Sequence, residues 1–107
     1  MADIMPYSFN GVTDYPDQRA VAIPGQSQGV YIMLHPDVVD ETAAKIERWF
    51  YDRDEVQIVD VGTSDKRGLG FIIIEWLECG VDPLFLAILR DEETVADYTV
   101  YGRNLEG

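Results

Sequence analysis

A chain of 107 residues, 47% of them apolar, has the size and composition of one folded domain and is too apolar for a disordered one. Twenty acidic residues against eight basic ones leave a net charge of −12 at pH 7. Such a surface is repelled by nucleic-acid phosphates and by anionic membranes, so neither is expected as a direct partner. The single cysteine, Cys79, rules out an internal disulfide and a zinc cluster of several thiolates.

Residues 1–18 hold a dense set of turn formers, Pro6, Asn10, Gly11, Asp14, Pro16 and Asp17, and predict an irregular arm that Tyr7, Phe9 and Tyr15 can pin to the body. The arm lacks a basic start followed by an apolar stretch, so it is not read as a secretory signal; with the lone cysteine this points to the cytoplasm. Arg19–Ile23 and Val30–Leu34 are rich in strand formers and flank "PGQSQG", where Pro24, Gly25 and Gly29 suit a loop. They predict the two arms of a hairpin. The loop lacks the lysine and following helix of a phosphate-binding P-loop.

Pro36 to about Asp52 predicts a helix: Val39, Ala43, Ile46 and Phe50 recur at helical spacing, and Val38, Thr42 and Trp49 widen the stripe. Proline is tolerated in the first turn, and Asp37, Asp40 and Glu41 favour the positive end of the helix dipole. Glu41, Lys45, Glu47, Arg48 and Asp52 make the charged face, while Trp49, Phe50 and Tyr51 read as core. "EVQIVDVG" alternates, with Val56, Ile58 and Asp60 on one side and Gln57, Val59 and Val61 on the other, and predicts a strand ending at Gly62. "TSDKRG" is a polar turn.

"GLGFIIIEWLECGVDPLFLAILR" is as long as a membrane span, but Glu75, Glu78, Asp82, Gly80 and Pro83 fall inside it. A bilayer tolerates such residues poorly, and the membrane reading fails. Two shorter segments remain, Leu69–Leu77 and Leu84–Leu89. Ile72, Ile73 and Ile74 make the first a strand, apolar on both faces and therefore central. The second fits a helix capped by Asp82 with Pro83 at its first position, or a strand; its period does not decide. The expectation adopted is a three-stranded meander, with Asp91–Glu93 as a turn before the alternating run Thr94–Tyr101.

Asp60, Gly62, Thr63 and Ser64 resemble the phosphate-binding signature of the actin-like and sugar-kinase ATPases. That family's fold implies two large lobes and further motifs, for which 107 residues leave no room, and membership is rejected. His35 and Cys79 could meet in space as a nucleophile pair, but His35 before Pro36 suits a helix cap and Cys79 before Gly80 a small turn residue. Glu75 and Glu78 lie on opposite faces of a strand, and Glu75 is expected at the strand's exit to solvent or, if buried, against Arg67 or Arg90. The pattern points to no cofactor and no metal site.

The expected fold is one α+β domain over residues 1–107, a mainly antiparallel sheet of about five or six strands with one amphipathic helix, residues 36–52, packed on one face. The expected function is non-catalytic: an acidic protein that binds a basic protein surface, as an inhibitor, immunity-type protein or nucleic-acid mimic does. Its charge-based candidates are Asp37, Asp40, Glu41, Glu47, Asp52, Asp54, Glu55, Asp91, Glu92 and Glu93. The alternatives are a self-associating module that covers the second face of the Phe71–Leu77 strand with another copy, and a small enzyme or ligand binder using Glu75, Tyr98 or Tyr101 between helix and sheet.

Overall fold

A computed structural model describes residues 22–64 and 68–105; the expected N-terminal arm, together with Lys66 and Arg67, lies outside them. The elements run β1 (Gln26–Leu34), a 3-10 turn (Pro36–Val38), α1 (Val39–Trp49), β2 (Val56–Ser64), β3 (Leu69–Trp76), α2 (Pro83–Asp91) and β4 (Val95–Asn104). The class is α+β as expected, but the described sheet has four strands in the order β2-β3-β1-β4, and the described residues form two α-helices instead of one.

Every neighbouring pair in the sheet is antiparallel. β1 and β2 are therefore parallel to each other across β3, and β3 and β4 are parallel across β1, each pair bridged by a helix. These are two interlocked split β-α-β units, the topology called ferredoxin-like. Parallel crossovers are right-handed almost without exception, and the two units run in opposite directions across the sheet, so both helices fall on one face. There they enclose the core. Val30, Ile32 and Leu34 of β1 and Ile72, Ile74 and Trp76 of β3 are all fully buried, each contributing roughly 1.5–3 kcal/mol by leaving water. Trp76 meets Phe50 edge-on at 5.6 Å and Phe85 of α2 at 5.3 Å, tying both helical segments to the central strand. Gly70 lets the start of α1 rest on β3, because a Cβ there would lie 1.9 Å from Val39 Cγ2.

Five expectations are corrected. Pro83–Asp91 is a helix, not the middle strand of a meander: Pro83 occupies its first turn, Ile88 is its one β-branched residue, and Phe85 and Leu89, four apart, bury the face towards the core. Its apolar residues all round reflect an element half-buried on most sides. Next, Gln26–Gly29 belongs to β1, not to a loop; the turn is confined to Pro24 and Gly25, whose φ of +78° suits glycine. Of the other hairpin arm, the described part shows only a bridge between Ala22 and Cys79.

β2 continues to Ser64 and carries a bulge between Ile58 and Asp60. The extra residue, Val59, reverses the alternation, so Val61 faces the core beside Ile72 and Asp60 faces outward beside Ile73. Finally, Lys45 turns inward, 2% exposed, with its Nζ 5.9 Å from the centre of the Trp49 ring. Burial, then the Arg48 charge, lowers its pKa against the pull of Glu92. Trp49 and Phe50 are core as expected, but Tyr51 is 83% exposed.

Candidate functional site

The acidic candidates fall into two groups. His35 N–H donates to Thr94 O at 3.0 Å, which holds the start of α1 beside the α2–β4 turn. Asp37, Asp40 and Glu41 therefore share one end of the molecule with Asp91, Glu92 and Glu93, all exposed except the half-buried Glu92. Glu92 accepts from Thr94 N at 3.3 Å and from Thr94 Oγ1 at 3.1 Å, which shapes the turn. His35 caps the 3-10 turn, its Nδ1 accepting from Asp37 N at 3.2 Å. The first trio has a structural reason to exist, since carboxylates stabilise a helix start. In the second trio Glu92 shapes the turn and Asp91 lies 3.6 Å from Arg90 Nε, but Asp91 and Glu93 stand exposed at and beyond the negative end of α2, where carboxylates are unfavourable.

At the far end of α1, Glu47, Asp52 and Asp54 are exposed. Glu55 is not part of this surface. It accepts from Arg53 Nε at 3.0 Å and belongs to a buried ion cluster. In that cluster Arg53, 9% exposed, bonds the fully buried Asp82 through Nη1 at 2.6 Å and Nη2 at 3.1 Å. Burial opposes the guanidinium charge, but the bonds it donates to Asp82 and Glu55 outweigh that and raise the pKa of Arg53. The cluster joins the loop before β2 to the start of α2 and is structural.

The sheet face opposite the helices holds the one exposed-side cluster of mixed chemistry among the described residues. Glu75 lies within β3, 7% exposed, and its carboxylate accepts from Tyr101 Oη at 2.7 Å and from Arg103 Nη2 at 2.9 Å and Nε at 3.3 Å. The expected exit to solvent and the expected partner Arg90 are both corrected; the other expected partner, Arg67, lies outside the described residues. Glu75 is on β3 and its partners are on β4, with β1 between them, and Gly29 is what permits the contact. A Cβ on Gly29 would sit 2.6 Å from the Tyr101 ring and hydroxyl, so the tyrosine lies across the glycine to reach the acid. The hydrogen bond from Arg103 outweighs burial and, with that from Tyr101, lowers the pKa of Glu75. Burial and then Glu75 raise that of Tyr101. Alongside, Tyr31 and Phe71 stack at 5.8 Å and line a shallow groove of about 480 Å³ with Met33, Leu69 and Thr99.

A cavity of about 430 Å³ does lie between α1 and the sheet, with Ile46, Phe50, Val56, Ile58 and Ile74 in its lining, but none of the three residues expected there lines it. Glu75 and Tyr101 are on the far face, whereas Tyr98 packs against the core on the helix side. Glu78 lies beyond the end of β3 with φ of +52° and accepts from Gly25 N at 3.0 Å, so it forms no pair with Glu75. Cys79 and His35 do not meet either: Cys79 O accepts from Gln28 N near the beginning of β1, and His35 follows its end, about 20 Å away at the rise of a strand. Gly62, Thr63 and Ser64 are strand residues paired with Phe71, Gly70 and Leu69, not a phosphate-binding turn. Among the described residues no group of three or more His, Cys, Asp or Glu side chains is placed to hold a metal ion, and no helix is long and apolar enough to cross a membrane.

No protein-family model, curated protein or solved structure matches the chain. Sequence reasoning missed Arg103 and Arg53 as partners of buried acids. The available signal for Arg103 was its spacing of two from Tyr101 on an alternating strand, which places both on one face.

Proposed function

We propose that the protein is a non-catalytic binding module whose acidic helical end engages a basic protein surface. The observation that carries this reading is that Asp91 and Glu93 stand exposed at and beyond the negative end of α2, set beside Asp37, Asp40 and Glu41. Helix stability explains the second set and opposes the first, so the accumulated charge is of use to something outside the fold. A basic partner supplies that use: it relieves the repulsion among the carboxylates and is drawn to them over a Debye length. A protein that itself binds nucleic acid is the partner class that fits, with the carboxylates taking the place of phosphates, and the module then acts as its inhibitor. The groups assigned to the contact are Asp37, Asp40, Glu41, Asp91 and Glu93; Glu47, Asp52 and Asp54 lie apart from it at the far end of α1, and Glu55 is withdrawn because Arg53 holds it.

Affinity capture on the immobilised protein tests this, with washes at about 50 mM and about 500 mM salt. A basic partner should be retained in the first and released in the second. The double variant Asp91→Lys/Glu93→Lys should lose it at both, with the melting temperature preserved. A partner retained equally at both salt concentrations ends the proposal.

A further inference from the structure

We infer that β4 is a self-association edge: it pairs antiparallel with β4 of a second copy about Val100, joining the two sheets into one. The inference stands apart from the acidic end just described, and rests on hydrogen-bond direction, register and space.

Direction comes first. Among the described residues β4 is the outer strand beside β1, and Tyr98 N donates to Asp97 Oδ1 at 2.8 Å. That amide therefore points away from β1. Main-chain groups alternate in direction along an antiparallel strand, so those of Tyr98, Val100 and Gly102 face the free side, while Thr99, Tyr101 and Arg103 bond to β1. The ladder with β1 is regular from Asp97 to Asn104, its irregularity lying at Met33 and Leu34. β2, the opposite edge, has an outward amide covered in the same way, Val61 N by Asp60 Oδ1 at 2.9 Å, but it is bent by the bulge at Ile58/Asp60. β4 is thus the straighter of the two edges, and a straight exposed edge is a template for another strand.

Register then selects the occupant. With Val100 on a two-fold axis, Val100 exchanges both main-chain bonds with its own copy. Tyr98 falls opposite Gly102 of the second copy, and Asp97 falls opposite Arg103 of the second copy, in each case twice by symmetry. Asp97 and Arg103 form a non-hydrogen-bonded pair in this ladder, the closer kind, and carry opposite charges. Arg103 binds Glu75 through Nε and Nη2, which leaves Nη1 directed elsewhere, and its side chain is 51% exposed. When the Tyr98 amide turns to the carbonyl of Gly102 in the second copy, Asp97 is released to meet that arginine.

Space agrees with the register. Gly102 is not required by its own fold: it is not among the glycines with positive φ, and a Cβ there would come no nearer than 3.7 Å to any neighbour. Facing Tyr98 of the second copy, the missing side chain gives room for that ring, just as Gly29 gives room to Tyr101 within one chain. Val100, 42% exposed, meets its own copy at the axis.

Sedimentation equilibrium on the full chain, from about 1 µM to about 300 µM, reads the result, since an edge pairing buries too little area to persist at nanomolar concentration. The expected behaviour is a reversible monomer–dimer equilibrium. Val100→Pro removes the two central bonds at a position where an edge strand tolerates proline, and should leave a folded monomer. Asp97→Lys sets like charges opposite each other twice and should weaken the dimer about tenfold. A wild-type chain that is monomeric throughout overturns the inference, as does a dimer unaffected by Val100→Pro. A dimer that ignores Asp97→Lys overturns the register. Should Val100→Pro fail to fold, Asp97→Lys decides alone, because Asp97 is exposed and outside the core.

Discussion

Replacing Asp82 by alanine should be among the most damaging single changes outside the apolar core. The carboxylate is fully buried and takes two bonds, at 2.6 and 3.1 Å, from a guanidinium that is itself 9% exposed and lies 5.3 Å from the Phe50 ring. Removing one partner of a buried pair costs about 3–5 kcal/mol, because the other charge is left in a medium that cannot solvate it. Glu55 still bonds Arg53 Nε, which keeps the loss near the lower limit, about 3 kcal/mol. Lost helix capping adds little, since the Asp82 side chain makes no capping hydrogen bond. Against a total stability of roughly 5–10 kcal/mol for a chain of this size, the melting temperature should fall by about 12 °C. Urea unfolding followed by tryptophan fluorescence measures the change as a shift in midpoint at constant slope. Arg53→Met in the Asp82→Ala background should cost less than the two single losses summed, with a coupling of about 2 kcal/mol. A single-variant loss below about 1 kcal/mol, or strict additivity in the cycle, would refute the claim that this pair holds α2 to the loop before β2.

Glu75 confers a pH dependence whose sign follows from its lowered pKa. A carboxylate whose folded pKa is below its unfolded one contributes stability that is present above the unfolded value, near 4.5, and is lost as pH falls through the folded value. Wild type should therefore lose stability between about pH 5 and pH 3 more steeply than Glu75→Gln, and coincident urea curves for the two across that window would contradict this. Tyr101→Phe should cost about 1–2 kcal/mol at neutral pH through the bond to Glu75, measured by the same unfolding curves. Gly29→Ala should cost about 2 kcal/mol or more, because Tyr101 must leave Glu75 to admit the methyl, whereas Gly102→Ala in the monomer should change stability by less than about 1 kcal/mol. Equal effects from the two alanines would mean that Gly29 does not position the tyrosine.

The helical stripe of Val39, Ile46 and Phe50 and the strand of consecutive isoleucines were legible because their periods are set by one element at a time. The second helix was not, because its apolar residues on nearly every side erase the period, and the decisive marks are only Asp82 and Pro83. A bulge is invisible to an alternation count by construction: Val59 inserts one residue, and Asp60 and Val61 exchange faces. Eight of the ten acidic candidates lie exposed; Glu55, whose partner Arg53 is two residues away and inward, and Glu92, bonded to Thr94, do not. The Glu75 cluster needed three strands in register before its members met, and no local pattern encodes that.

The position of β1 between β3 and β4 has a consequence for how the molecule comes into being. Its side-chain bond from Gln26 to Asn104 spans 78 residues of chain, and neither of its neighbours has been synthesised when β1 leaves the ribosome. Val30, Ile32 and Leu34 must wait, apolar and with both edges open, for partners made tens of residues later. Contacts this distant in sequence make folding slow, and an unpaired hydrophobic strand is what holding chaperones recognise. In the living cell the earliest described strand is thus the one most in need of shelter, and it acquires its second neighbour only when β4 arrives.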